Sequence, residues 1–459
     1  MAIELIPSAK RLIRSLRDIG YEFVDAVADI VDNSIEAEAT AISIRLEFNG
    51  DDSYLTIADN GIGMASKEIQ EALRFGSNSS YSEYEDLGRY GLGLKTASLS
   101  QAEKLTVSSR RSSERARINS FCWSLEHVEK TNRWEILEVD RNDLKNEVYD
   151  HLNRTTGTVV TWEKLGRLLG YKYPLGEHAR KQSAQMIDSL KNHLGMVFHR
   201  FLSGEVRSKR IAIYVNDVRV MPWDPFSRGE RHTLTLDPIN LPIDYNERIY
   251  NVKLQPYVLP PQSLYSSSKA HVQASGPNKW NKQQGIYIYR SNRIIQAGGW
   301  NGLRTNDEHT KLLRIALYIP QQIEELFQVN VAKKHAVLPR DLRAQILKSI
   351  QHTIQKAQEV YREKNSALNL SNALSENSTV LVSNENITEL LNNTQRDISY
   401  KESRNLQSLI KQVVSRGKFR SEHIEAEELL QDIFSKMTKI EQHKFQEFLA
   451  RYALNDSQK

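Results

Sequence analysis

An otherwise apolar helix, predicted within residues 21–37, carries a row of polar side chains that could do chemistry. They are Asp25, Asp29, Asp32, Asn33 and Glu36. The acids fall at steps of three and four, so they line one helical face, while residues such as Val27 and Val31 supply a buried side. An acidic stripe alone is usually a solvated helix face. The meaning of this one therefore depends on the motifs that follow it.

Two glycine-containing motifs come next in the chain. The first is Ile57-Ala58-Asp59-Asn60-Gly61-Ile62-Gly63-Met64, and the second is Leu87-Gly88-Arg89-Tyr90-Gly91-Leu92-Gly93-Leu94-Lys95-Thr96. A carboxylate at a strand end can accept a hydrogen bond from the exocyclic amine of adenine, and neighbouring glycines let the ring approach the backbone. A glycine loop that leads into a helix directs free N–H groups and the helix dipole at phosphate. Taken singly, the first motif would be read as a hairpin turn.

The order and spacing of these elements resemble the GHKL ATPase superfamily. It includes gyrase-type topoisomerases, MutL, Hsp90-type chaperones, MORC proteins and histidine kinases. The glycine loop is most similar in form to MORC and related prokaryotic members, and it is neither a Walker A loop nor a Rossmann fingerprint. The resemblance implies ATP and Mg²⁺ as ligands and an N-terminal Bergerat-fold α/β sandwich.

The resemblance also implies roles for individual residues. Asn33 would hold Mg²⁺ through a neutral oxygen, which is a hard ligand, and Asp59 would read adenine. Thr158 matches the threonine that contacts the adenine side through water. The predicted ATP-binding set is Asn33, Asp59, Gly61, Gly63, Met64, Gly88, Tyr90, Gly91, Leu92, Gly93, Leu94, Lys95, Thr96 and Thr158. Residues 76–86 would be a lid over the nucleotide, or otherwise an ordinary polar loop.

At Asp29 the sequence departs from the best-known family pattern. Members that hydrolyse ATP commonly carry glutamate four residues before the metal asparagine, and this chain has aspartate there. Asp29 and Asn33 share a helix face, and aspartate can act as a general base. Its side chain is shorter, however, and a misplacement of about 1 Å can cost on the order of 10²-fold in rate. We therefore predict slow hydrolysis with Asp29 as the base.

Apolar patterns predict the elements that must position these groups. Residues 41–48 alternate between apolar and polar side chains, which is typical of a half-buried strand. Further strands are predicted at 54–58, 104–110, 116–123, 134–139 and 158–162, with a short helix at 66–75. This order predicts helices layered on a mixed, mainly antiparallel sheet. The predicted fold class is α+β.

The sequence predicts an ATPase domain at 1–175, and three further parts are predicted after it. A transducer-like α+β domain is predicted at 176–364, with helices at 184–201 and 339–364, strands at 211–215, 250–258, 285–289 and 312–319, and a mobile loop at 263–278. By resemblance to topoisomerases and MutL, Lys333 would reach the γ-phosphate as a second catalytic residue, with Lys334 as its rival and two solvated lysines as the alternative. An Asn/Ser-rich linker is predicted at residues 365–399, and a helical C-terminal region is predicted at 400–459.

Bulk properties set wider limits. The 459 residues carry a net charge of +5, which permits contact with nucleic acid but does not argue for it. The single cysteine, Cys122, lies in an apolar run and is predicted to be a core residue. The sequence shows no signal peptide and no apolar run near the ~20 residues of a spanning helix. It therefore predicts a soluble, cytoplasmic protein without a membrane partner.

The function that these features predict is an ATP-gated conformational switch. ATP would close the lid, two chains would dimerise with Met1–Ile19 as a strap between them, and hydrolysis would reopen the homodimer. DNA or a partner effector in genome maintenance or antiviral defence is the favoured cargo. The alternatives are a nucleotide-sensing scaffold with little hydrolysis and an Hsp90-like chaperone. A histidine kinase is disfavoured because only about twenty residues precede the acidic helix.

Overall fold

The computed structural model describes residues 7–18, 20–75, 93–111, 117–329 and 336–362. These residues form two β-sheets with helices packed against them. The strands are β1 (Ala41–Glu47), β2 (Tyr54–Asp59), β3 (Lys104–Arg110), β4 (Asn119–Ser124), β5 (Leu137–Glu138), β6 (Gly157–Glu163), β7 (Ala212–Val215), β8 (Val218–Arg219), β9 (Leu234–Thr235), β10 (Ile239–Tyr245), β11 (Arg248–Val258), β12 (Gly285–Arg290), β13 (Arg293–Gln296) and β14 (Leu313–Tyr318).

Helices precede, connect and follow these strands. They are α1 (Ala9–Arg17), α2 (Phe23–Glu36), α3 (Ser66–Leu73), α4 (Gly93–Gln101), α5 (Leu125–Thr131), α6 (Asn146–Arg154), α7 (Gly166–Leu169), α8 (Glu177–Val197), α9 (His199–Ser203), α10 (Ser268–Ala274), α11 (Lys279–Gln283) and α12 (Arg340–Ser349). Residues 351–362 are helical as well. Among the described residues, no helix combines the length and the apolar character needed to cross a membrane.

The first sheet has the order β5-β4-β3-β6-β2-β1-β7-β8. Its pairs are antiparallel except for β1 and β7, which run parallel. The second sheet has the order β10-β11-β14-β12-β13, with β9 on β11, and β12 runs parallel to β14. Each sheet has its own apolar core. The α+β fold class predicted from the sequence is confirmed.

Alternating side chains explain why the strands that carry the site were predictable. In β1, buried and half-buried residues alternate along the whole strand, as expected for a strand with one face on the core. The segment predicted as a strand at 134–139 pairs only at β5. The sequence prediction missed α5, α6, β10 and β13. The elements α5, α6 and β13 are short or mostly polar, whereas β10 alternates between buried and exposed residues and its period was overlooked.

The strand predicted at 211–215 belongs to the first sheet. It forms β7, which pairs with β1. The preceding helices α8 and α9 bury Leu190, Leu194 and Phe201 in the first core and so bring the chain back to that edge. The boundary predicted at residue 175 would separate α8, α9 and β7 from the first core, to which they contribute. We propose that the first structural unit extends to about residue 220.

Two smaller predictions about local structure also have clear outcomes. The mobile loop predicted at 263–278 contains α10, whose N terminus is capped because the Ser267 side chain accepts a hydrogen bond from the Ala270 N–H. Serine was read there as a loop signal, although it is also a preferred cap residue. Cys122 is buried, as predicted. The predicted lid at 76–86, the linker at 365–399 and the C-terminal helical region at 400–459 lie outside the described residues.

Candidate active site

Four pieces of the first unit meet at one place: α2, the end of β2, the start of β6 and the start of α4. Asp59 ends β2 and Gly157 begins β6, and these strands pair directly. On the helix side, a carboxylate oxygen of Asp29 lies 3.9 Å from the point where a Cβ on Gly93 would be. The residues of the acidic helix and of both glycine motifs are therefore brought together, as far as those motifs are described.

The Asp59 carboxylate accepts three hydrogen bonds at this place. It accepts hydrogen bonds from Ser34 Oγ at 3.0 Å, from the Gly61 N–H at 2.9 Å and from the Thr158 N–H at 3.1 Å. The side chain is 6% exposed, and burial raises its pKa although these three hydrogen bonds oppose the shift. Three donors around one carboxylate fix its orientation. Asp59 can therefore present a remaining acceptor position in one defined direction.

Two glycines permit the close backbone approach around Asp59. Gly157 has a φ of +133°, and a Cβ there would lie 2.0 Å from the Asp59 carbonyl oxygen. A Cβ on Gly61 would lie 2.4 Å from the Ala37 carbonyl oxygen. Both distances are far below van der Waals contact, so only glycine fits at either position. The predicted reason for Gly61 was room for a ring, and the structure adds the packing of the turn against the end of α2.

Thr158 and Met64 are joined through a serine. Ser109 Oγ lies 2.9 Å from Thr158 Oγ1, donates to the Gly157 carbonyl at 2.8 Å and accepts from the Met64 N–H at 2.7 Å. Thr158 is buried and Met64 is half-buried against the first core. Ser109 thus connects β3, the start of β6 and the Gly61–Met64 turn. It lies within a predicted strand and gave no separate signal in the sequence.

Asn33 lies one turn beyond Asp29 on α2 and is half-buried. A half-buried amide at the edge of the site can still reach a ligand, and a neutral oxygen suits Mg²⁺. The residue present therefore fits the metal that the resemblance implies. Within the described ranges, no group of three or more His, Cys, Asp or Glu side chains could hold a metal ion by itself.

Asp29 is buried and held from two sides. Tyr21 Oη donates to one carboxylate oxygen at 3.0 Å, and the guanidinium of Arg293 lies 3.5 Å from the other. The same Tyr21 hydroxyl also interacts with Thr96 at the start of α4. Burial, followed by the charge of Asp29, raises the Tyr21 pKa, so this hydroxyl stays a donor. The candidate base is thereby oriented by Tyr21, which precedes α2, and by Arg293 of β13.

Lys95 of α4 contacts the end of α3 in this structure. The prediction was a charge near phosphate, but Nζ donates to the carbonyl oxygens of Ala72 at 3.0 Å and Arg74 at 2.7 Å. The side chain is 1% exposed, and burial lowers its pKa to about 8. In this arrangement the ammonium satisfies the C-terminal carbonyls of α3. Its role in the structure is to hold α3 against α4.

The remaining predicted residues divide between described and undescribed positions. Gly93 and Leu94 open α4, with Leu94 half-buried against the core. Gly63 has a φ of +69° and lies against the Arg110 backbone. Gly88, Tyr90, Gly91, Leu92, Lys333 and Lys334 lie outside the described residues.

Besides Ser109, sequence reasoning missed three polar residues that contact the site. Ser34 directly follows Asn33, so its position next to a predicted site residue could have identified it. Tyr21 precedes α2 by two residues and was read only as a boundary. Arg293 comes from the second sheet, and no spacing in the sequence connects it to α2.

The comparisons with known proteins match this region. Residues 21–158 match the family model described as "Histidine kinase-, DNA gyrase B-, and HSP90-like ATPase". The DNA mismatch repair protein MutL of Pasteurella multocida is 39% identical over 88 residues, covering 18% of this chain and 14% of the relative. ATPase morc-1 of Caenorhabditis elegans is 32% identical over 88 residues, covering 19% and 10%. MutL of Fervidobacterium nodosum is 29% identical over 122 residues, covering 26% and 21%. The chain thus spans about a fifth or less of the length of these relatives.

Proposed function

Because residues 21–158 belong to the GHKL superfamily, we propose that the protein binds ATP at this site and hydrolyses it slowly. The observation that carries the proposal is the oriented carboxylate of Asp59, held by Ser34 Oγ and by the N–H groups of Gly61 and Thr158. Its remaining acceptor position suits the exocyclic amine of adenine. The keto oxygen that guanine has in place of this amine would face a carboxylate and be repelled.

The phosphates would lie toward the start of α4. A helix N terminus offers unpaired N–H groups and a positive dipole end to an anion. Asn33 would hold Mg²⁺, which supplies positive charge against the phosphate oxygens. Gly88, Tyr90, Gly91 and Leu92 would complete the phosphate loop, and Lys333 would contribute a charge from the second domain. These last assignments are carried over from the family resemblance.

Asp29 would act as the general base for the attacking water. It lies one helical turn from Asn33 and beside the start of α4, so base, metal ligand and phosphate site share one wall. Tyr21 and Arg293 already engage its two oxygens. A base with engaged oxygens and a short side chain supports slow turnover. The same observation favours a second candidate, a nucleotide-sensing scaffold that releases very little phosphate.

We further propose that ATP drives homodimerisation and that the switch acts on DNA or with a partner protein. The support is that MutL relatives are named for DNA mismatch repair, and that a helix precedes the site at the N terminus. In this structure α1 lies on its own chain, where Ser8 Oγ donates to Asn132 and Arg14 pairs with Glu129. Exchange of this segment between subunits would break these exposed contacts, which are individually weak.

Sedimentation of the full chain tests this proposal. We expect monomer with ADP and dimer with Mg²⁺ and a non-hydrolysable ATP analogue, because only the triphosphate would bridge the site and the second domain. The matched arms use buffer alone and the analogue with a DNA duplex. Dimerisation with the analogue, strengthened by DNA, supports the switch. A monomer in every arm despite measured analogue binding contradicts it and favours the scaffold.

A further inference from the structure

The acidic face of α2 packs against elements outside the ATPase core of residues 21–158. Asp25 pairs with His193 of α8 at 3.4 Å. Asp32 pairs with Arg293 of β13 at 3.0 Å, and Asp29 pairs with the same guanidinium at 3.5 Å. Asp32 is fully buried, so this stripe is an internal interface and not a solvated face.

The hairpin between β12 and β13 delivers Arg293 to this interface. Its two-residue turn, Ser291-Asn292, has φ values of +45° and +69°, as in a type I′ turn that fixes strand register. Arg290 and Arg293 pair directly across it. The guanidinium of Arg293 also lies 5.7 Å from the ring of Phe198, between α8 and α9. A short hairpin and an aromatic ring together restrict where this charge can be.

A buried guanidinium between two buried carboxylates is an exacting arrangement. The three side chains are 3%, 1% and 0% exposed for Arg293, Asp29 and Asp32. Charges removed from water depend on their partners for stabilisation, so moving one of them disturbs the others. Any shift of β13 would therefore change the position of the Asp29 carboxylate. Any movement of Asp29 toward a substrate would in turn disturb its ion pair with β13.

We propose that Arg293 is a positioning residue through which the second sheet sets the direction of the Asp29 carboxylate. This inference rests on the proposed function, because it assigns a source of control to the same site. Asp29 is one carbon shorter than the glutamate usual in relatives, so its reach depends more on how it is aimed. With Arg293 in place, hydrolysis requires the second sheet to be docked on α2. Nucleotide binding, which depends on Asp59 and Asn33, does not.

A neighbouring arginine provides a matched control. Arg290 is buried to the same 3% and its Nε donates to the Glu324 carboxylate at 2.6 Å. That pair lies within the second domain, whereas Arg293 pairs with Asp29 and Asp32 of α2. Arg290→Lys and Arg293→Lys therefore make the same chemical change in the same hairpin, and both keep the charge.

The test measures kcat for ATP and the dissociation constant of a non-hydrolysable ATP analogue in the full chain. For Arg293→Lys we expect kcat to fall about 10- to 100-fold, as for a base misplaced by about 1 Å, with analogue affinity within about threefold of the wild type. In an Asp29→Asn background the same substitution should lower kcat no further. Arg290→Lys should leave both quantities near wild type.

Hydrogen exchange without nucleotide gives a second readout. We expect residues 23–36 to exchange faster in Arg293→Lys than in Arg290→Lys, because only the first loosens β13 from α2. Equal effects of the two variants on kcat, or additive losses with Asp29→Asn, overturn the positioning role. If the wild type binds no ATP analogue, the proposed function is wrong, and the positioning role in hydrolysis is then wrong as well. The exchange comparison then still decides whether Arg293 ties β13 to α2.

Discussion

Replacing Asp59 by asparagine is expected to weaken binding of a non-hydrolysable ATP analogue by at least about 100-fold. The carboxylate receives three hydrogen bonds in the structure. Hydrogen bonds to a charged group each contribute about 1.5–3 kcal/mol, and about 1.4 kcal/mol corresponds to a tenfold change in affinity. An amide would present an NH₂ group to these donors and remove the charge that receives the adenine amine. Calorimetric titration measures the dissociation constant.

Ser34→Ala is the control for this change. It removes one donor to Asp59 and leaves the carboxylate in place, so we expect a loss of about tenfold or less. Circular dichroism and thermal unfolding of both variants establish that the domain is folded. Asp59→Asn with an affinity within about threefold of the wild type, a difference below 1 kcal/mol, would show that adenine is not read here.

Replacing Asp29 by asparagine is expected to lower the rate of ATP hydrolysis by about 10²- to 10⁴-fold, the usual contribution of a general base. Binding of the ATP analogue should change little, because Asp29 lies beside the start of α4, where the phosphates would bind, and not at Asp59. Asparagine keeps the shape of aspartate but cannot accept a proton. Release of inorganic phosphate under saturating ATP measures the rate.

Asp25→Asn is the matched control for Asp29→Asn. Asp25 belongs to the same helical stripe, is buried as well, and pairs with His193 rather than with Tyr21 and Arg293. We expect its substitution to cost stability and to leave the rate within a few-fold of the wild type. Equal rates for Asp29→Asn and the wild type would remove Asp29 from the chemistry and leave the scaffold as the function.

Much of the local structure around Asp59 was predictable because it depends on local sequence. The strand that ends at Asp59 shows in its apolar pattern, and the turn that follows shows in its glycines. Their structural reasons are equally local, since Gly61 packs on the end of the neighbouring helix and Asp59 binds its own turn. Short-range patterns report this kind of constraint well.

The partners of the acidic stripe could not be predicted, and the physical reason is their distance along the chain. An acidic stripe alone is usually a solvated helix face, yet Asp32 is fully buried against Arg293. A carboxylate on a helix has the same local pattern whether it faces water or an arginine from another sheet. Lys95 shows the same limit, because the carbonyl groups that bind it belong to the end of α3.

The sheet to which β7 belongs could not be predicted for a related reason. A strand pattern such as that of β7 predicts that a segment pairs, but it does not say with which sheet. The choice is made by α8 and α9, whose apolar residues join the first core.

The central claim is that this site binds an adenine nucleotide and recognises its base through Asp59. The most direct test is calorimetric titration of the full wild-type chain with a non-hydrolysable ATP analogue and with its GTP counterpart, both with Mg²⁺. The predicted result is saturable binding of the adenine analogue, with the guanine analogue weaker by about 100-fold or more because its keto oxygen would face the Asp59 carboxylate. Equal affinity for the two analogues, or no binding of either, would contradict the account.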